Sequence, residues 1–157
     1  MKWKTWRPYI ISVLIAMAVG GLSGLLSMDG MEAYSTSVIK PALSPPGWVF
    51  GVVWPILYAL MGIGAARIWL SSDSAAKSRG LNLYVAQLIV NFFWSLIFFN
   101  AQAFGFALIW LLLLWVLVLL MIVQFYKVDQ KAAWLQIPYL LWLTFAAYLN
   151  FAVWLVN

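Results

Sequence analysis

Trp54 and Tyr58 stand four residues apart in GWVFGVVWPILY. Gln87, Asn91 and Ser95 repeat that interval in QLIVNFFWS, and Pro138, Trp142, Ala146 and Asn150 repeat it again in PYLLWLTFAAYLN. On an α-helix this spacing stacks side chains on one face, so each set presents an aromatic or amide stripe in one direction. An amide stripe beside Trp94 suits a flat molecule with polar edges, which would stack on the indoles and hydrogen-bond to the amides. Hydrogen bonding between helices would use the same amides equally well. Other chemistry is excluded by residue type. The chain has neither histidine nor cysteine, which removes imidazole bases, thiolate nucleophiles, zinc sites and the usual axial ligands of haem iron, and leaves the redox compartment unreadable. No carboxylate lies within an apolar segment, so general acid–base catalysis has no candidate there.

The elements that must carry these stripes are membrane helices. The 157 residues are 66% hydrophobic and 8% charged, with a mean hydropathy of +0.98, far from a soluble domain. The pattern predicts one all-α membrane domain over 1–157, a bundle of five transmembrane helices at 8–27, 47–70, 81–99, 104–125 and 132–156. Pro45 and Pro46 suit the opening turn of the second helix, and Pro55 frees a carbonyl one turn back and should bend it. A long polar connection, 28–45, joins the first two helices and has the length of a functional lid. Ala16, Gly20 and Gly24 form a small-residue face on the first helix, open to packing in the bundle, to dimerisation or to service as a pocket wall. The fourth helix is apolar on every side, as expected of the one most exposed to lipid.

Charge orients the bundle. Lys2, Lys4, Arg7, Arg67, Lys77, Arg79, Lys127 and Lys131 fall on one side of the membrane and Lys40 alone on the other. This bias predicts a cytoplasmic N-terminus, an outer C-terminus and an outer 28–45 connection. It also accounts for the net charge of +5 without nucleic acid as a partner. Together with the short leading segment, it suits a bacterial cytoplasmic membrane. At 1.5 Å of rise per residue, Trp54 lies about 10 Å below the outer boundary, Trp94 about 9 Å and Asn91 about 14 Å. With Trp142 nearer mid-depth, all four should converge beneath the 28–45 connection, in a pocket lined by indoles and amides.

Three stretches, KPALSPPGWVFGVVWPILYALMG (40–62), QLIVNFFWSLIFF (87–99) and PYLLWLTFAAYLN (138–150), resemble the TspO/MBR family, the tryptophan-rich sensory proteins that include the mitochondrial translocator protein. The likeness covers essentially the whole chain. It implies a five-helix bundle, commonly a homodimer, that binds porphyrins such as protoporphyrin IX and requires no cofactor. By position, the ligand pocket it implies comprises Tyr34, Pro45, Phe50, Trp54, Tyr58, Asn91, Trp94, Ser95, Trp142 and Ala146. In members that degrade protoporphyrin in light, the tryptophans matching Trp54 and Trp142 would be the reactive pair. The cholesterol motif of animal members is replaced here by LNFAVWLVN, with Phe151 at its tyrosine and no cation, so sterol recognition through it is not expected.

Three functions of different classes follow from this reading. A porphyrin receptor or sensor needs only an aromatic slot and a few amides, and metal-free porphyrin is the easier ligand where no histidine or cysteine can ligate iron. A light-dependent porphyrin-degrading enzyme would use the two indoles and no acid or base. Ion-coupled transport is not expected without a charge at mid-depth, while passive movement of porphyrin or lipid along the bundle remains open.

Overall fold

The computed structural model describes residues 2–157, and five of its helices are long and apolar enough to cross a membrane. Helix α1 spans Lys2–Leu26, α2 Met28–Ser37, α3 Gly47–Trp69, α4 Ala75–Ser95, α5 Phe104–Val128, α6 Gln130–Trp134 and α7 Ile137–Val156. The last turn of α4 widens into a π-helical turn, Leu96–Asn100. Four spans are α1, α3, α4 with its π turn, and α5; α6 and α7 together make the fifth. No strand occurs among the described residues. The molecule is a multi-pass membrane-helix bundle.

Small residues set the α1–α3 contact. Gly62 lies against the backbone of Val13, Ser12 Oγ donates to the Gly62 carbonyl at 2.6 Å, and Gly20 faces the Tyr58 ring so closely that a methyl group there would collide with it. Ala16 is fully buried, whereas Gly24 has open space beside it. The Ala16–Gly20 part of the small-residue face is therefore spent on packing inside the bundle. Ser23 Oγ closes α1 onto α4 by donating to the Phe92 carbonyl at 2.7 Å.

Helix α5 departs from the expectation of a uniformly lipid-exposed span. Ala107, Leu111, Leu114, Val118, Met121 and Phe125 are buried at alternating spacings of four and three, the seam of a packed helix. Its indoles reach both neighbours: Trp110 Nε1 donates to the Val90 carbonyl at 2.7 Å and Trp115 Nε1 to Thr144 Oγ1 at 2.9 Å. Lipid and protein interior are equally apolar, so hydropathy could not separate the two faces.

Three further boundaries move. α1 starts at Lys2 and runs through Pro8, whose missing amide leaves the Lys4 carbonyl without its usual helical partner. α3 continues unbroken through Pro55. α4 starts at Ala75, capped by Ser74, whose side chain accepts from the Lys77 amide at 3.0 Å. The fifth span breaks at Leu135–Gln136 rather than running straight from 132, and Pro138 sits in the opening turn of α7 and faces outward. The shared inward face therefore begins at Trp142, not at Pro138.

At the basic end of the bundle, Arg67 Nε meets Asp129 Oδ2 at 2.8 Å, and Asp129 Oδ1 accepts from the Lys131 amide to cap α6. Burial would raise the Asp129 carboxyl, but hydrogen bonding and charge from Arg67, with the amides of Lys131 and Ala132, hold it below its ordinary value of 3.8. A depressed carboxylate stabilises the fold above that ordinary value and loses the contribution as pH falls through its folded pKa. Melting temperature should therefore drop below about pH 4 in the parent. Asp129→Asn, less stable by about 1 kcal/mol at neutral pH, should lack that component of the acid loss.

Candidate functional site

The space between α3 and α7 is a wedge. At its narrow end Gly64 lies against the Gln136 side chain and the Ala132 carbonyl, and Gln136 Nε2 donates to the Leu60 carbonyl at 3.2 Å. Toward the other end the two backbones stay apart and large rings span the gap. Trp142 packs edge-to-face on Trp54 at 6.3 Å between centroids, on Phe50 at 5.6 Å and against Phe145 at 5.6 Å, while Trp54 rests on Tyr58 at 5.6 Å. Ala146, one turn beyond Trp142, is buried and keeps that wall smooth.

Buried amides floor the wedge. Tyr139 accepts from Asn91 Nδ2 at 2.8 Å and donates to Gln87 Oε1 at 2.7 Å, while its ring lies 6.4 Å from Trp54. Gln87, Asn91 and Tyr139 are each at most 3% exposed. The amides of the 87–91 stripe thus serve interhelical bonding first, and α4 is locked to α7 by it. Two polar atoms along the wedge are left over: Gln136 Oε1 at its narrow end, and Trp142 Nε1 among the rings, a buried donor that meets no acceptor among the described residues. An orphaned donor of this kind costs about 1–3 kcal/mol, and a ligand acceptor would recover it.

Tyr34 stands apart from that wedge, and Trp94 lies between the two. Tyr34 packs on Phe98 and Phe99 at 5.4 and 5.3 Å, under Lys40 Nζ at 5.1 Å, and its burial pushes the phenol pKa up. Trp94 stacks on Phe98 at 5.0 Å, and its indole N–H is already used, donating to Asn150 Oδ1 at 3.2 Å. Asn150 Nδ2 in turn donates to the Phe104 carbonyl at 2.8 Å. Ser95 is half-buried where the π turn begins, and Pro45 is half-buried just before α3. The expected single convergence is therefore two adjoining aromatic clusters, with Trp94 packed against both.

The 28–45 connection differs from a plain loop, since its first half is α2. Gly30 lets α2 press on the π turn, where a methyl group would strike Asn100 and the backbone of Phe99, and Asn100 Nδ2 donates to the Leu26 carbonyl at 2.8 Å. Widened turns of this kind re-aim side chains, and here the widened turn carries Phe98 and Phe99 onto Tyr34. The second half of the connection is tied to α7: Asn157 exchanges a pair of hydrogen bonds with the Ile39 backbone at 3.1 and 2.9 Å, and Tyr148 OH donates to the Ala42 carbonyl at 3.1 Å. Asn157→Ala should speed hydrogen exchange of the Ile39 amide about five- to tenfold, with core amides of α4 and α5 unchanged.

The chain that carries this arrangement is matched by a family model. It covers residues 12–155 and describes the TspO/MBR family. The chain belongs to the TspO/MBR family. Similar proteins include the tryptophan-rich protein TspO of Archaeoglobus fulgidus, 35% identical over 94% of this chain and 95% of that one. The translocator protein of Homo sapiens is 40% identical over 99% of this chain and 91% of its own. The tryptophan-rich sensory protein of Cereibacter sphaeroides is 35% identical, covering 97% and 92%. Within this TspO/MBR bundle, the sequence reading passed over Tyr139 and Asn150 as site residues. Asn150 was visible as the polar member of the α7 stripe and Tyr139 as a neighbour of Pro138, but only packing shows that Tyr139 joins two amides and that Asn150 occupies the Trp94 donor.

Proposed function

We propose that this TspO/MBR protein is a membrane receptor or sensor for a flat hydrophobic ligand of the porphyrin class, protoporphyrin IX being the reference case. The ligand would enter the wedge between α3 and α7. The observation that carries this reading is the buried, unpartnered Trp142 indole N–H beside the Phe50, Trp54 and Trp142 rings. A macrocycle sliding between the rings would gain stacking area, and an acceptor on its edge, such as a propionate, would take the indole proton donor. The pocket residues carried over from the family, Tyr34, Pro45, Phe50, Trp54, Tyr58, Asn91, Trp94, Ser95, Trp142 and Ala146, would act in two groups, with the Trp54–Trp142 group touching ligand and the Tyr34–Trp94 group seating the cover. The names of the relatives, sensory and translocator proteins, agree with a sensing or ligand-handling role. The charge bias supports a bacterial cytoplasmic membrane with the N-terminus inside, and the family supports a homodimer.

The contact of Trp54 with Trp142 at 6.3 Å favours one further reading, one-electron exchange between a light-excited bound porphyrin and the indole pair. One titration separates the two. Protoporphyrin IX added to purified protein in the dark should quench tryptophan fluorescence saturably; the absence of saturation sinks the binding site itself. Illumination that leaves the porphyrin spectrum unchanged supports the receptor. Bleaching that disappears in a Trp54→Phe, Trp142→Phe double variant supports the photochemical enzyme.

A further inference from the structure

A second apolar groove lies at the opposite end of the bundle from the 28–45 connection. The chain leaves α5, turns at Asp129, makes the single turn of α6 and breaks at Leu135–Gln136 before α7. Gln136 is drawn inward to the Leu60 carbonyl. Beside this broken joint is a groove of about 280 Å³ with an apolar lining that includes Ile122, Val123 and Ile137, edged by Tyr126 and Trp134 and bordered by Lys127. Trp134 is 62% and Tyr126 49% exposed, the disposition of rings that sit at headgroup depth where one side is apolar and the other wet.

The charge at the groove is unbalanced. Asp129 is the one carboxylate in the α5–α6 connection, and Arg67 already holds it at 2.8 Å. Among the described residues no ion pair is made by Lys127 or Lys131. An apolar channel that opens among interfacial rings, bordered by Lys127 and with Lys131 three residues before Trp134 on the same short helix, matches an acyl chain joined to an anionic phosphate. A sterol would leave the lysines unused, and a free phosphate would leave the apolar channel unused.

We propose that this groove binds an anionic phospholipid, one acyl chain lying between α5 and the α6–α7 joint and the headgroup phosphate meeting Lys127 and Lys131. The site is separate from the porphyrin wedge and does not depend on it.

Native mass spectrometry of the full chain, released from vesicles of equal phosphatidylglycerol and phosphatidylcholine, tests the assignment. The parent should retain phosphatidylglycerol about tenfold over phosphatidylcholine, and glycerol phosphate at millimolar concentration should not displace it. Lys127→Gln with Lys131→Gln should bring the ratio near one. Val123→Trp, which fills the groove from its exposed rim and keeps both lysines, should also abolish the preference. No preference in the parent overturns the proposal, as does its survival in the double lysine variant. Survival in Val123→Trp overturns it too, since that result means a diffuse charge effect without a groove. Displacement by glycerol phosphate would overturn it in favour of a simple anion site.

Discussion

Tyr139→Phe is expected to lower the thermal stability of the detergent-solubilised protein by about 2 kcal/mol, although it deletes a single oxygen. That oxygen is the shared partner of Asn91 Nδ2 and Gln87 Oε1. Its loss leaves an amide donor and an amide acceptor unserved by Tyr139 in a site where all three residues are at most 3% exposed. Each buried orphan costs about 1–3 kcal/mol in a water-referenced protein. Two orphans would total about 2–6 kcal/mol, but polar contacts between membrane helices average only about 0.6 kcal/mol, because chains unfolded in lipid find other partners, so the loss falls at the bottom of that total. The asymmetry supplies the check. Adding Gln87→Leu and Asn91→Leu to Tyr139→Phe removes the orphans with the bond, and the triple variant should melt closer to the parent than Tyr139→Phe does. A Tyr139→Phe protein that melts with the parent would show that the α4–α7 link does not hold the bundle.

The same trio shows how far the sequence could be read. The interval of four between Gln87 and Asn91 revealed a polar stripe that had to face protein, since lipid offers no partner. It could not say whether the stripe met a ligand or another helix, because both demands select the same amides. The answer came from Tyr139, whose register on α7 depends on a break at Leu135–Gln136 that no hydropathy window resolves. Five apolar spans were legible for the opposite reason, a hydrocarbon core requiring long apolar segments that satisfy their own backbone hydrogen bonds. The connection at 28–45 was legible as a long polar segment but not as a helix. Gly30 and the run Ser35, Thr36, Ser37 are weak helix formers, and α2 owes its place to Gly30 fitting under the π turn and to Asn100. The Trp54–Trp142 contact was anticipated from depth alone. The partners of Trp94 were not legible, because only Asn150 and Phe98 in three dimensions show where its donor and ring are spent.

Trp142→Phe should separate ligand affinity from stability, and the two should move differently. In the isolated protein the substitution removes the buried indole N–H that has no acceptor, relieving about 1–3 kcal/mol. It also shrinks the ring that bridges Phe50, Trp54 and Phe145, losing a comparable amount of apolar contact. The two nearly cancel, so the melting temperature should stay within about 2 °C of the parent. Porphyrin binding has no such compensation. The phenyl ring can still stack but cannot donate, and a donor to a propionate carboxylate is charge-assisted, so affinity should fall about tenfold or more. Trp54→Phe provides the contrast: its ring touches Tyr58, Tyr139 and Trp142 together, and stability and affinity should decline in parallel. Unchanged protoporphyrin IX affinity in Trp142→Phe would remove the indole N–H from the recognition scheme and leave the wedge as packing. A large loss of stability in that variant would mean instead that Trp142 holds α3 and α7 together, with no donor held in reserve for a guest.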